Sequence, residues 1–321
     1  MHLDYYISNF RKLSRDRKNG GAPHKPILLL SIIHLFEQGI YNSNRVYFIP
    51  ELVSTFKTIW SRLVFTDNFQ PTIVLPFSHM RSEPFWQLVP NEGCERWVKS
   101  KAQLRSFKNL RMAVDYASID SLLSELFKQS DSRAILATVL LEAYFPEAQM
   151  SFYEELFYRD ETVYAELVND SAEEYRQKML QRKATLNEDR YEEEVFVRSG
   201  LFKREIAKIY DNTCSISGLR IVATTSISMI DGCHIVPFSK SYNDTLSNGI
   251  ALCPNLHRAF DRGLISLDDQ YRVLVSKNFT ESESDYSIRK YEGKEIILPK
   301  NKNCVPGREN MRWHREHIFD S

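Results

Sequence analysis

The chain has 321 residues, long enough for two compact domains, and its 43% hydrophobic content excludes a disordered or fibrous polymer. Lys and Arg equal Asp and Glu at 42 each, so phosphate contacts would have to come from local clusters rather than a global positive charge. The longest apolar run, residues 26–36, is interrupted by Ser31 and His34, and the first residues, with His2 and Asp4, carry no signal-peptide pattern. These features predict a soluble, cytoplasmic protein that does not engage a membrane.

In chain order, the hydrophobic periodicity predicts helices over residues 3–13, 26–38 and 51–63, with a polar loop containing Asn19, Gly20 and Gly21 between the first two. Short strands follow at 72–76 and 85–89, then a helical pair over 119–144. Pro146 closes this block. Residues 151–194 are charged and contain neither proline nor glycine, which reads as a helical connector. The chain is therefore read as α+β, with a mixed N-terminal domain over 1–148, a connector over 149–195 and a C-terminal domain over 196–321.

Charge is distributed unevenly along these parts. Residues 11–25 hold Arg11, Lys12, Arg15, Arg17, Lys18 and Lys25 against Asp16, and residues 99–111 add Lys99, Lys101, Arg105, Lys108 and Arg111. Two basic stretches in the N-terminal block suit contacts to a phosphate backbone, whereas residues 154–194 are acidic. The apolar positions of the connector, among them Phe152, Leu156, Phe157, Tyr164 and Leu167, fit either a dimer surface or packing within the chain.

The densest chemistry lies in residues 231–263, DGCHIVPFSKSYNDTLSNGIALCPNLHRAFDRG. The stretch 226–236 reads as a strand that delivers His234 and stops at Pro237, which has no ladder donor. After a polar loop, residues 249–252 read as the return strand, Pro254 suits the first turn of a helix and Gly263 is placed to end it. His257 and Asp261, four apart, fall on one helix face.

The order His234, Asn248, His257, with the flanking NG, LC and HRAFDRG strings, resembles the HNH endonuclease family and its ββα-metal fold. That resemblance implies His234 as general base, Asn248 as a brace within the catalytic group and His257 as ligand of one divalent ion, Mg²⁺ or Mn²⁺. The ion would neutralise charge on the phosphorane and its leaving oxygen while a neutral imidazole accepts the proton of the attacking water, leaving 5′-phosphate and 3′-hydroxyl ends. Many members carry an aspartate or histidine directly before the base, where this chain has Cys233. Asp261 is then favoured as second ligand over Asp231. Lys240 and Arg258, beside these residues, are candidate DNA contacts. Some members also hold a structural zinc with paired CxxC motifs. Cys214, Cys233 and Cys253 do not supply them, and no structural zinc is expected. Five cysteines without an obvious pairing fit a reducing compartment. His314 and His317 read as packing or carbonyl-capping residues near a helix end.

GAPHKPILLL and PFSHMRSEPFWQL resemble, more weakly, the DNA sulfur-binding domain that precedes HNH nucleases in phosphorothioate-dependent restriction enzymes. The likeness implies a basic loop at His24 and Lys25 and an apolar pocket at Pro84, Phe85 and Trp86, while Lys18, in the basic stretch before them, is a candidate phosphate contact. Where that family has a tyrosine before the matching proline, this chain has Glu83, whose charge would oppose a phosphorothioate. The function expected is metal-dependent cleavage of double-stranded DNA in modification-directed restriction or a related anti-phage defence. The alternative is an effector nuclease recruited by a partner protein. A single-metal core nicks one strand, so a double-strand break implies a homodimer.

Overall fold

The structure, a computed structural model, describes residues 2–16, 18, 21–100, 103–147, 161–221 and 228–320. The chain divides into two compact units, residues 1–160 with 188–197, and residues 161–187 with 198–321.

The first unit is built around a helix that is apolar on every side. Helices α1 (His2–Phe10), α2 (His24–Glu37) and α3 (Pro50–Leu63) flank strand β1 (Arg45–Tyr47). In α2, Ile27, Leu28, Leu29, Leu30, Ile32 and Leu35 are all excluded from solvent, so α2 is the centre of the core rather than one of its walls. Each such side chain contributes about 1.5–3 kcal/mol of burial. Pro26 sits in the first turn of α2, where its missing N–H leaves no helical bond unmade.

Residues 72–76, expected as a strand, instead enter helix α4 (Val74–His79), because Pro76 falls within its first turn and is tolerated there. Strand β2 (Trp86–Pro90) lies where a strand was expected. Helices α5 (Glu95–Lys99) and α6 (Phe107–Ala113) lead into β3 (Val114–Ile119), whose last residue lies in the stretch expected to be helical. β3 is the centre of an antiparallel sheet ordered β1-β3-β2. The expected helical pair is α7 (Ser121–Lys128) and α8 (Ser130–Tyr144).

Of the segment read as a connector, Phe152, Leu156 and Phe157 lie outside the described residues. The remainder forms α9 (Glu161–Asn169), α10 (Ala172–Thr185) and α11 (Glu188–Ile209). A capping box opens α10: Glu174 N–H donates to Ser171 Oγ at 3.2 Å, and the Ser171 N–H donates to Glu174 Oε2 at 2.9 Å. α9 and α10 belong to the second unit, and α11 runs across the division. Among the described residues no helix is long and apolar enough to cross a membrane.

The second unit also holds the hairpin of β4 (Asp231–His234) and β5 (Gly249–Leu252), the short helix α12 (Phe238–Ser241) and α13 (Pro254–Asp261). Strand β4 is shorter than the expected stretch; of that stretch, residues 226–227 lie outside the described residues. A second hairpin, β6 (Ile265–Leu267) with β7 (Val273–Val275), and the terminal helix α14 (Arg308–His317) complete it. Gly263, at φ +71°, ends the α13 turn, and a Cβ there would lie 2.0 Å from the Ile318 carbonyl oxygen.

His314 on α14 is buried. Its ring stacks on Phe260 at 3.8 Å, and its nitrogens meet Ser266 Oγ at 2.9 Å and the Phe260 carbonyl at 3.1 Å. Burial pushes this imidazole down to about 4 from an ordinary 6.5, against a smaller upward pull from the Phe260 carbonyl. The unfolded chain then binds the extra proton first as pH falls, so stability declines from about pH 6.5 to about pH 4. The loss attributable to this group is about 3 kcal/mol at the acid end. Chemical denaturation across that window should show a steeper pH slope for the wild type than for His314→Gln, and equal slopes would refute this assignment.

Candidate active site

The β4–β5 hairpin pairs Asp231 with Leu252, Gly232 with Ala251, Cys233 with Ile250 and His234 with Gly249. Side chains alternate along β4, so Asp231 and Cys233 point to one face while Gly232 and His234 point to the other. Helix α11 packs against the Gly232 and Gly249 face at a distance that excludes side chains. A Cβ at Gly232 would lie 2.4 Å from the Lys203 carbonyl oxygen, and one at Gly249 would lie 2.2 Å from Ile206 Cδ1. This approach lays the Phe202 ring flat on the His234 imidazole, with centroids 4.0 Å apart and planes 9° from parallel.

The loop from 235 to 248 is held by Asn248, which has no solvent exposure. Its Oδ1 accepts from Val236 N–H at 2.9 Å, and its Nδ2 donates to the carbonyls of Val236 at 2.9 Å and Asn243 at 3.0 Å. Asn248 thus meets backbone through all three of these bonds, as a brace does. The same loop carries Asp244, fully buried, whose Oδ1 stands 2.6 Å from His234 Nε2. Tyr175 on α10 donates to the other oxygen, Oδ2, at 3.5 Å. Burial first, and the neighbouring Asp244 charge second, push the Tyr175 phenol far up, so it remains a donor at neutral pH. Arg198 Nη1 reaches the Tyr175 hydroxyl at 3.4 Å and Glu166 at 2.6 Å.

His257 on α13 lies between two carboxylates. Its Nδ1 is 3.0 Å from Asp231 Oδ2, and its Nε2 is 3.3 Å from Asp261 Oδ2. Both carboxylates are about half exposed, and among the described residues neither has a lysine or arginine partner. A carboxylate oxygen and an imidazole nitrogen are donor types that a divalent cation takes. The two carboxylates face opposite nitrogens of the ring, and among the described residues no cluster of three or more such side chains forms a metal site.

His234, His257 and Asp261 line one cleft of about 400 Å³ with Lys203, Gly232, Cys233, Ile235, Pro237 and Phe238. The structure therefore brings together Asp231, His234, Asn248, His257 and Asp261 in the second unit. Lys240 and Arg258 are exposed on α12 and α13 of that unit but do not line the cleft. Cys94, Cys214, Cys233, Cys253 and Cys304 are all free thiols.

Residues 214–268 match the model of the HNH endonuclease family. This segment is an HNH endonuclease domain. No curated protein matches the chain. Among solved structures, a modification-dependent TagI restriction endonuclease aligns at 25% identity over 38% of this chain and 39% of that one, with a TM-score of 0.29. The type IV phosphorothioation-dependent restriction endonuclease ScoMcrA aligns at 11% identity over 79% of this chain and 93% of that one, with a TM-score of 0.33. The chain thus spans well under half the length of the first of these.

The HNH domain leans on residues that lie outside the matched segment. Phe202 and Lys203 come from α11 and Tyr175 from α10, none of which the motif strings contain. Asp244 lies within the match, but a lone aspartate in a polar loop reads as turn chemistry, and only the fold turns it onto His234.

The other candidates belong to the first unit. Lys25 is buried and ion-paired with Glu83, which also accepts from Ser14 N–H at 3.1 Å and Ser82 Oγ at 3.0 Å. The Glu83 charge is therefore neutralised internally. Phe85 and Trp86 are core residues, 1% and 4% exposed, while Pro84 and Lys18 are exposed. His24 is partly buried with its Nε2 2.9 Å from the Gln70 carbonyl and its ring against Trp60.

Proposed function

We propose that the chain is a metal-dependent DNA endonuclease of the restriction type, in which the second unit hydrolyses a phosphodiester and the first reads the DNA. One observation carries this reading: the HNH match falls on a cleft lined jointly by His234, His257 and Asp261. His234 is the general base. A single Mg²⁺ or Mn²⁺, when bound, supplies positive charge to the phosphorane oxygens and the leaving oxygen.

His257 and Asp261 hold that ion. The Nδ1 proton of His257 is donated to Asp231, which fixes the tautomer and leaves Nε2, on the Asp261 side, with its lone pair. Asp231 then orients the ligand. Lys203, the cation at the cleft, attracts the phosphate.

Plasmid cleavage with Mg²⁺ or Mn²⁺ tests the reading, and excess chelator should abolish it. His257→Ala should weaken Mn²⁺ binding by calorimetric titration at least about tenfold, with turnover falling in parallel. Unchanged Mn²⁺ affinity would remove His257 from the metal shell.

Matched plasmids with and without phosphorothioate linkages separate the substrate classes. The resemblance of the N-terminal block to the sulfur-binding domain supports modified DNA, and the internal pairing of Glu83 with Lys25 removes the charge that would oppose it. The burial of Lys25, Phe85 and Trp86 favours the second reading, recruitment by a partner protein, because these side chains are not on the surface for DNA to meet. Selective cutting of the modified plasmid supports the first; failure to cut either without added cell extract supports the second.

A further inference from the structure

We propose that Asp244 is a positioning residue for the catalytic base, holding the His234 imidazole in the tautomer whose Nδ1 is free to take a proton from water. The proposal rests on the reading of His234 as that base. A carboxylate only accepts hydrogen bonds, so the 2.6 Å contact from Asp244 Oδ1 requires the proton on Nε2 of a neutral ring. Nδ1 is then the nitrogen with a lone pair. The ring is fixed in its plane by Asp244 and across its plane by Phe202, stacked at 4.0 Å.

Asp244 is itself held from two sides. Asn248 Nδ2 grips the Asn243 carbonyl at 3.0 Å, and Thr245 N–H donates to Asn243 Oδ1 at 2.8 Å, so the backbone on either side of Asp244 is tied down. Its outer oxygen accepts from Tyr175, which Arg198 and Glu166 support behind it. A carboxylate with no solvent exposure is expensive to bury unless it is hydrogen-bonded, and these partners compensate it. The brace role of Asn248 therefore reaches the base through Asp244 as well as through the strand.

In the reaction, water gives a proton to Nδ1 as its oxygen bonds to phosphorus, and the P–O3′ bond breaks with the leaving oxygen taking a proton from solvent. The imidazolium formed is stabilised by the Asp244 charge across the same short bond. Loss of that charge raises the barrier to proton transfer without removing a substrate contact. The expected signature is a fall in kcat with KM preserved.

The test uses the full chain with Mn²⁺ and plasmid DNA. Asp244→Ala should lose about 10²-fold or more in kcat with KM within a few-fold. Sodium formate, a carboxylate small enough for the vacated space, should restore part of that loss while leaving wild type and His234→Ala unchanged. If the alanine variant does not fold, Asp244→Asn, close in shape, should show the same split between kcat and KM. A long-range ¹H–¹⁵N spectrum of histidine-labelled wild type, with His234→Gln for assignment, reads the tautomer independently of activity. A wild-type Nδ1–H tautomer, wild-type kcat in the folded variant, or a kcat loss that formate does not touch would overturn the proposal. If wild type cuts no DNA even with added cell extract, the nuclease reading fails, and the spectrum still decides whether Asp244 sets the tautomer.

Discussion

Replacing His234 with alanine should remove DNA cleavage, by about 10³-fold or more in kcat, because among the described residues no other side chain at the cleft can take its place as a neutral base. His257 is engaged on both sides by Asp231 and Asp261, and His314 is committed to Ser266 and Phe260. The same change has a second effect. Asp244 loses its 2.6 Å partner and, among the described residues, is left as a buried carboxylate with Tyr175 alone, at 3.5 Å. Removing one partner of a buried charged pair costs about 3–5 kcal/mol, so the alanine variant should also melt earlier. His234→Gln separates the two effects, since an amide can donate to Asp244 but cannot act as a base. The expected result is a glutamine variant as inactive as alanine but closer to wild type in melting temperature, with DNA affinity in metal-free gel shifts retained. A residual cleavage rate within tenfold of wild type would sink the assignment of His234 as base.

The catalytic half of this molecule was legible because its chemistry is local in sequence. Residues 231–263 carry the proposed base, brace and metal ligand, and the turn chemistry of Pro237, Pro254 and Gly263 sets their order in space. Asn248 sits where the NG string puts it, immediately before β5, and its bonds to Val236 and Asn243 follow from a short amide beside a closed loop. What stayed hidden comes from afar. Tyr175 is 69 residues from Asp244, and nothing in a charged helical stretch distinguishes a tyrosine that supports a base from one that packs a helix. The N-terminal block was less readable for a related reason. β1 and β3 are short edge and centre strands whose pairing joins residue 45 to residue 118, a register that local periodicity does not carry. Lys25 and Glu83 show the same limit. Read singly, one is a phosphate contact and the other an obstacle to sulfur; in the fold each neutralises the other.

Gly232→Ala should unfold or misassemble the HNH domain more severely than Gly249→Ala, although both glycines face the same helix. At Gly232 the new Cβ would meet the Lys203 backbone, with the carbonyl oxygen at 2.4 Å and Cα at 2.7 Å, so α11 must move as a body. At Gly249 the new Cβ would meet the end of Ile206, at 2.2 Å, and Phe202 at 2.9 Å. An isoleucine Cδ1 can change rotamer; a helix backbone cannot. Overpacking of this kind costs about 3 kcal/mol at Gly232, which for a unit of this size lowers the melting temperature by roughly 10 °C, and less at Gly249. The displacement also reaches the chemistry. Moving Lys203 away from β4 carries its neighbour Phe202 off the His234 ring, so cleavage should fall beyond what the folded fraction explains. Differential scanning calorimetry with cleavage assays normalised to folded protein checks both parts. Equal losses for the two variants would mean that α11 yields as easily as a side chain, and that its close seating on the hairpin does not set the position of the base.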